Sequence, residues 1–75
     1  MKHAHEKYDR IQDPEGKIPE DEPVFLLRGQ DIFAADVVEY WAELAEKGGV
    51  APERVKEVLE QAKKMREWKT KKIPG

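Results

Sequence analysis

The segment DIFAADVVEYWAELAEKGGVAPERVKEVLEQAKKMREW, residues 31–68, carries two runs of helical periodicity split by Gly48-Gly49. In the first run, Phe33, Val37, Tyr40, Trp41 and Leu44 fall at i, i+4, i+7, i+8 and i+11, one face of a helix. Val38 and Ala45 widen that face. Asp31 is a candidate N-cap, and the helix is expected to begin between Asp31 and Ala35 and to end at Lys47. Asp36 and Glu39 lie early, where negative charge suits the helix dipole, and Glu43 and Lys47 stand in the favourable i,i+4 order. The glycine pair then stops the helix.

The second run opens on Pro52, which fits a first helical turn. Val55, Val58, Leu59, Ala62 and Met65 form its apolar stripe, and Glu60 stands four residues before Lys64. This helix is expected to reach Thr70, with Trp68 on an end that overhangs the shorter first helix. Pro74 forbids continuation.

Upstream, Val24 to Leu27 is a compact apolar run that suits a short buried strand or an extended segment in a groove. Residues 1–23 are polar and carry Pro14, Gly16, Pro19 and Pro23. Asp13-Pro14-Glu15-Gly16 has the residue order of a tight turn, flanked by Tyr8 to Gln12 and Lys17-Ile18 as a possible short hairpin. The expected organisation is one domain: a polar arm over 1–23 and a helical part over 24–75. The fold class is all-α, a two-helix hairpin with an extended N-terminal arm and a short strand-like segment.

The chain has 75 residues, and domains of this size lean on disulfides, metals or association. With no cysteine, disulfides and thiolate sites are excluded. Each helix shows a broad apolar face and has one partner helix within the chain. Some of Phe25, Leu27, Trp41, Met65 and Trp68 then face water in a monomer, so a homo-oligomer is expected, a dimer first. The arm and Val24 to Leu27 are expected to lie across the helices of the same or a neighbouring copy.

Net charge is −2, which gives no overall field for nucleic acid. The distribution is polar, however. Residues 13–22 hold five acids against Lys17, and residues 63–72 hold six bases against Glu67. These are either two solvated termini or an acidic arm that meets the basic end of another copy. No apolar run approaches the ~20 residues of a membrane span, and MKHAHEKYDR has no hydrophobic signal region. A soluble intracellular protein is expected.

Chemistry has little to work with. The chain has no serine, its only threonine is Thr70, and its only histidines are His3 and His5. His3-Ala4-His5-Glu6 spaces its histidines i,i+2, which shares a face only in a strand. No metal, no cofactor and no catalysis are expected. A DNA-reading helix-turn-helix would present Pro52-Glu53-Arg54 and Glu57 to the groove, where the acids meet phosphate repulsion.

Arg28, Gln30 and Asp31 carry more weight. They lie between the apolar run and a helix N-terminus, beside Gly29, and Arg28 can hold a phosphate or carboxylate bidentately. Tyr40, Trp41 or Trp68 can stack on a base, and Arg66 and Lys69 add charge. The competing reading pairs Arg28 with Asp31 or an acid of the arm, caps the helix with Asp31 and puts the aromatics in the core.

With PEDEPVFLLRGQD at 19–31, WAELA from Trp41 and MREW from Met65, residues 8–75 resemble a group of short phage- and prophage-encoded proteins. The shared features are the acidic lead from Glu20 to Pro23, the segment from Val24 to Asp31, Trp41-Ala42, and Met65 to Trp68. Proteins of this group often carry proline where this chain has Ala35, so the resemblance leaves the start of its first helix less fixed. The resemblance implies a viral origin, and small phage proteins often counter host defence. The expectation is a non-enzymatic binding protein of the host cytoplasm. It would sequester a small anionic ligand such as a signalling nucleotide through Arg28, Gln30, Asp31, Trp41, Arg66, Trp68 and Lys69. The alternatives are a host-protein inhibitor or adaptor acting through Met65 and Trp68 on its second helix, and a structural or assembly protein of the virion.

Overall fold

A computed structural model describes residues 2–3, 13 and 15–74. Its elements are β1 (Lys2–His3), β2 (Pro23–Val24), α1 (Ala34–Lys47) and α2 (Pro52–Glu67). The two helices form an antiparallel hairpin, and β1 pairs with β2 in parallel, Lys2 opposite Pro23 and His3 opposite Val24. The apolar run from Val24 is therefore a strand only at its first residue; Phe25 to Leu27 continue without ladder pairing.

The turn at Asp13 is formed as its sequence requires. The Gly16 amide donates to the Asp13 carbonyl at 3.0 Å, and the amides of Lys17 and Ile18 donate to the Asp13 carboxylate at 2.9 and 2.7 Å. The proposed hairpin strand from Tyr8 to Gln12 lies outside the described residues, as does the His5-Glu6 part of the histidine motif.

Asp31 does not cap α1 from the N-cap position, which Phe33 occupies without a side-chain cap. Its carboxylate instead accepts the Phe33 amide at 2.7 Å, two residues on, and its carbonyl accepts the Ala34 amide at 3.1 Å. A short polar side chain that closes a turn on its own backbone makes this entry without proline at position 35. At the other end, the Gly49 amide donates to Glu46 and the Val50 amide to Ala45, with Gly49 at φ +87°. This is a Schellman stop, and it requires the left-handed conformation that glycine adopts without a Cβ clash. Pro52 then starts α2 directly.

The face of α1 turned to α2 is the alanine face. Ala34, Ala35, Ala42 and Ala45 are buried, together with Val55 and Ala62 of α2; Ala42, Ala45 and Val55 form one cluster, with Val58 partly buried against it. Positions 35, 38, 42 and 45 on α1 and 55, 58, 62 and 65 on α2 each follow the i, i+3, i+7, i+10 spacing of a coiled-coil seam. Small side chains on one side let two helices pack closely. The aromatic stripe looks elsewhere: Phe33, Val37, Tyr40, Trp41 and Leu44 are all about half exposed or more. Leu59 is also exposed rather than part of the packed seam.

The C-terminus corrects the expected helix length. The second helix stops at Glu67, and Trp68 is its C-cap with extended backbone. The chain then turns back beside the entry to α1. The Lys72 amide donates to the Gln30 carbonyl at 2.7 Å, and the Ile32 amide donates to the Lys72 carbonyl at 3.1 Å. The Lys71 ammonium donates to the Gly29 carbonyl at 2.9 Å and to the Met65 carbonyl. The tail thus satisfies backbone groups on both the α2 end and the loop before α1, and this competes with further helix.

Candidate functional site

The β2–α1 loop and the end of α2 frame a cleft of about 360 Å³. Arg28, Gly29 and Gln30 line it from the loop; Gln61, Lys64 and Met65 line it from α2, and Trp68 from the C-cap of that helix. The three helix residues fall at i, i+3 and i+4 on one face, and the C-cap Trp68 follows at i+7. Gly29 is the loop residue that lies against this face. A Cβ built there would sit 3.4 Å from Trp68 Cβ and 3.6 Å from Met65 Cα, ordinary van der Waals contact, so the loop runs within one methyl group of the end of α2.

The cleft lining is basic. It contains Arg28 and Lys64 and no acid. Among the described residues neither cation has an ion-pair partner, so the expected Glu60–Lys64 pair and the Arg28–Asp31 alternative are not made. Two cations that share a concave surface repel each other mildly and gain when an anion bridges them. The Trp68 side chain is 59% exposed beside them, and the Gln30 and Gln61 amides supply donors and acceptors. The arrangement can hold a small anion that also presents a flat ring.

Of the residues singled out in the sequence, Arg28, Gln30 and Trp68 meet here. Asp31 is one residue away and spends its carboxylate on the Phe33 amide. Lys69 is exposed and outside the lining. Arg66 is committed elsewhere: its guanidinium donates to Asp36 at 3.0 Å and to Glu39 at 2.6 Å, pinning the end of α2 to the start of α1. The hydrogen bond to Asp36 and the charge of Glu39 raise the Arg66 pKa further above its ordinary value. Trp41 lines a second groove of about 520 Å³ with Leu27, Val37, Val38, Arg54, Glu57, Val58 and Gln61. That groove is mostly apolar and suits a side chain better than an anion. Gln61 borders both grooves.

Sequence reasoning missed Gln61 and Lys64. The signal was there in their spacing from Trp68, at seven and four residues, which aligns both with the C-cap residue at the end of their helical face. Among the described residues, no three His, Asp or Glu side chains gather in a metal-ligating group, and no helix is long and apolar enough to cross a membrane. The chain matches no protein-family model, no curated protein and no solved structure.

Proposed function

We propose that this chain is a non-enzymatic binding protein that takes a small anionic ligand of the nucleotide class in the cleft between the β2–α1 loop and α2. The observation that carries this reading is one concave lining with Arg28 and Lys64, no acid, two amides and an exposed indole. Arg28 presents a bidentate fork to a phosphate, and Lys64 adds a point charge. Trp68 offers a face for a base, a contact worth about 1–3 kcal/mol in other proteins. The Gln30 and Gln61 amides suit the donor–acceptor edge of a base. A volume of about 360 Å³ falls in the usual range for small-ligand sites.

The resemblance to short phage and prophage proteins supports placing this binding in counter-defence. The chain would sequester a signalling nucleotide in the host cytoplasm. The alternative, a Met65–Trp68 face laid into a host protein's groove, has weaker support: Met65 is half-buried and shares the cleft with Trp68 rather than forming a flat stripe.

The test is calorimetric titration of the full chain with a panel of nucleoside monophosphates and cyclic mono- and dinucleotides, with inorganic phosphate as a control. One nucleotide is expected to bind more tightly than phosphate alone and to quench tryptophan emission. Arg28→Ala and Lys64→Ala should each weaken it at least tenfold, while Trp68→Leu should remove the preference for a base over phosphate. Absence of binding across the panel at millimolar concentration would overturn the reading.

A further inference from the structure

The buried core of the described residues consists of five alanines and one valine. The larger apolar side chains of α1 lie on its outer face instead. Trp41 is 47% exposed, Val37 49%, Leu44 50%, Phe33 53% and Tyr40 60%. Their spacing covers an arc of about 100°, the width of a core-facing stripe, on a helix whose alanine face is already used by α2. We propose that this outer face is the contact surface of a two-fold dimer of the chain, with α1 antiparallel to the partner's α1. The proposal is independent of the ligand assigned to the cleft.

Three observations favour a second copy over another occupant. The first is self-complementarity. A two-fold contact brings the same patch against itself, so its residues must match when the direction is reversed. About a point between Tyr40 and Trp41 the stripe does so: Val37 falls opposite the partner's Leu44, and Tyr40 opposite the partner's Trp41. Phe33, which has no apolar counterpart, falls opposite Gly48-Gly49 of the partner, where there is no side chain to exclude a ring.

The second is charge. One edge of the stripe carries Asp36, Glu43 and Lys47. Lys47 makes no ion pair among the described residues, so the expected Glu43–Lys47 pair is absent. Asp36 and Glu39 share the single charge of Arg66, so the three groups together are net negative. Reversal of the partner brings Lys47 to this acidic end at both ends of the contact.

The third is area. Five half-exposed side chains, three of them aromatic, present several hundred Å² of largely apolar surface. A standard interface buries about 800 Å² per partner. The stripe runs without a break into the apolar groove through Val37 and Trp41, which line both, and so extends to Leu27 and Val58.

The experiment is sedimentation equilibrium of the full chain, paired with single-cysteine crosslinking. The chain has no cysteine, so each introduced one reports alone. A dimer is expected in the micromolar range, and Val37→Glu and Leu44→Glu should each raise its dissociation constant at least tenfold with the helical circular dichroism retained. Tyr40→Cys, near the two-fold axis, should oxidise to a covalent dimer. Lys47→Cys should not crosslink with itself, but should do so with Asp36→Cys in a mixed sample. A wild-type monomer at high micromolar concentration would overturn the proposal, as would a dimer in which Lys47→Cys self-crosslinks and Tyr40→Cys does not. If a charged variant fails to fold, the crosslinking pattern alone decides. A monomer that binds another protein through Val37 and Leu44 also counts against it.

Discussion

Arg28 and Arg66 have the same side chain and opposite circumstances. Arg66 reaches two acids of α1, whereas Arg28 lines the cleft with no described acid beside it. The two should therefore fail differently when truncated. Arg66→Ala removes an exposed, salt-screened tie between helix ends. It should lower the thermal midpoint slightly, by an amount that shrinks in high salt, and should leave nucleotide affinity unchanged. Arg28→Ala should show the reverse, with near-wild-type melting and lost binding; parallel melting and calorimetric series check both. An Arg66→Ala variant that melts as wild type but binds poorly would return Arg66 to the site. The sequence alone could not separate these arginines. It shows that both are basic and near an aromatic residue, but partner choice is settled by register across the hairpin, which brings position 66 to 36 and 39.

At the scale of the elements, both helices were legible from periodicity, and the Gly48-Gly49 stop from glycine chemistry. Which face packs inward was not legible. The apolar stripe of α1 has the greater hydrophobicity, yet the alanines at 34, 35, 42 and 45 are the buried residues. A hydrophobic pattern reports that a face seeks cover and does not say from which partner. Close packing on alanine carries its own expectation. Ala42 is 1% exposed in the cluster with Ala45 and Val55, so Ala42→Leu overpacks the seam. It should cost about 1–3 kcal/mol, read as a lower urea midpoint. Were the stripe the packed face, the same substitution would be neutral. The tail was the other missed element. Its lysines read as a helix end suited to the dipole, but Lys71 and Lys72 bond the backbone of Gly29, Gln30 and Ile32. Ending the chain at Thr70 removes those bonds and should destabilise by about 1–2 kcal/mol. Because the same bonds hold the loop against Trp68, nucleotide affinity should fall with it. A truncated chain with full stability and affinity would show the tail to be ornamental.

As a whole, the molecule measures 32 × 29 × 18 Å, thin in one direction because two helices make a single layer. A layer has two faces, and among the described residues the alanine face of α1 is buried while its aromatic face is half exposed. A core of small side chains stabilises weakly, since transfer free energy scales with apolar area, at about 25 cal/mol per Å². Burial of the aromatic face against a second copy, as proposed above, would add to that stabilisation. That contribution leads to a measurement that needs no variant. For a folded dimer in equilibrium with unfolded chains, mass action links stability to concentration, so the thermal midpoint rises with each tenfold increase in protein. A monomer melts at one temperature throughout. Differential scanning calorimetry over two decades of concentration should show the rise in the wild type. Val37→Glu should melt lower and with a weaker concentration dependence. If the wild-type midpoint stays fixed, the alanine seam and the tail carry the fold alone, and the aromatic face of α1 is exposed for some other reason. If it rises while Val37→Glu rises equally, the copies meet through a different surface.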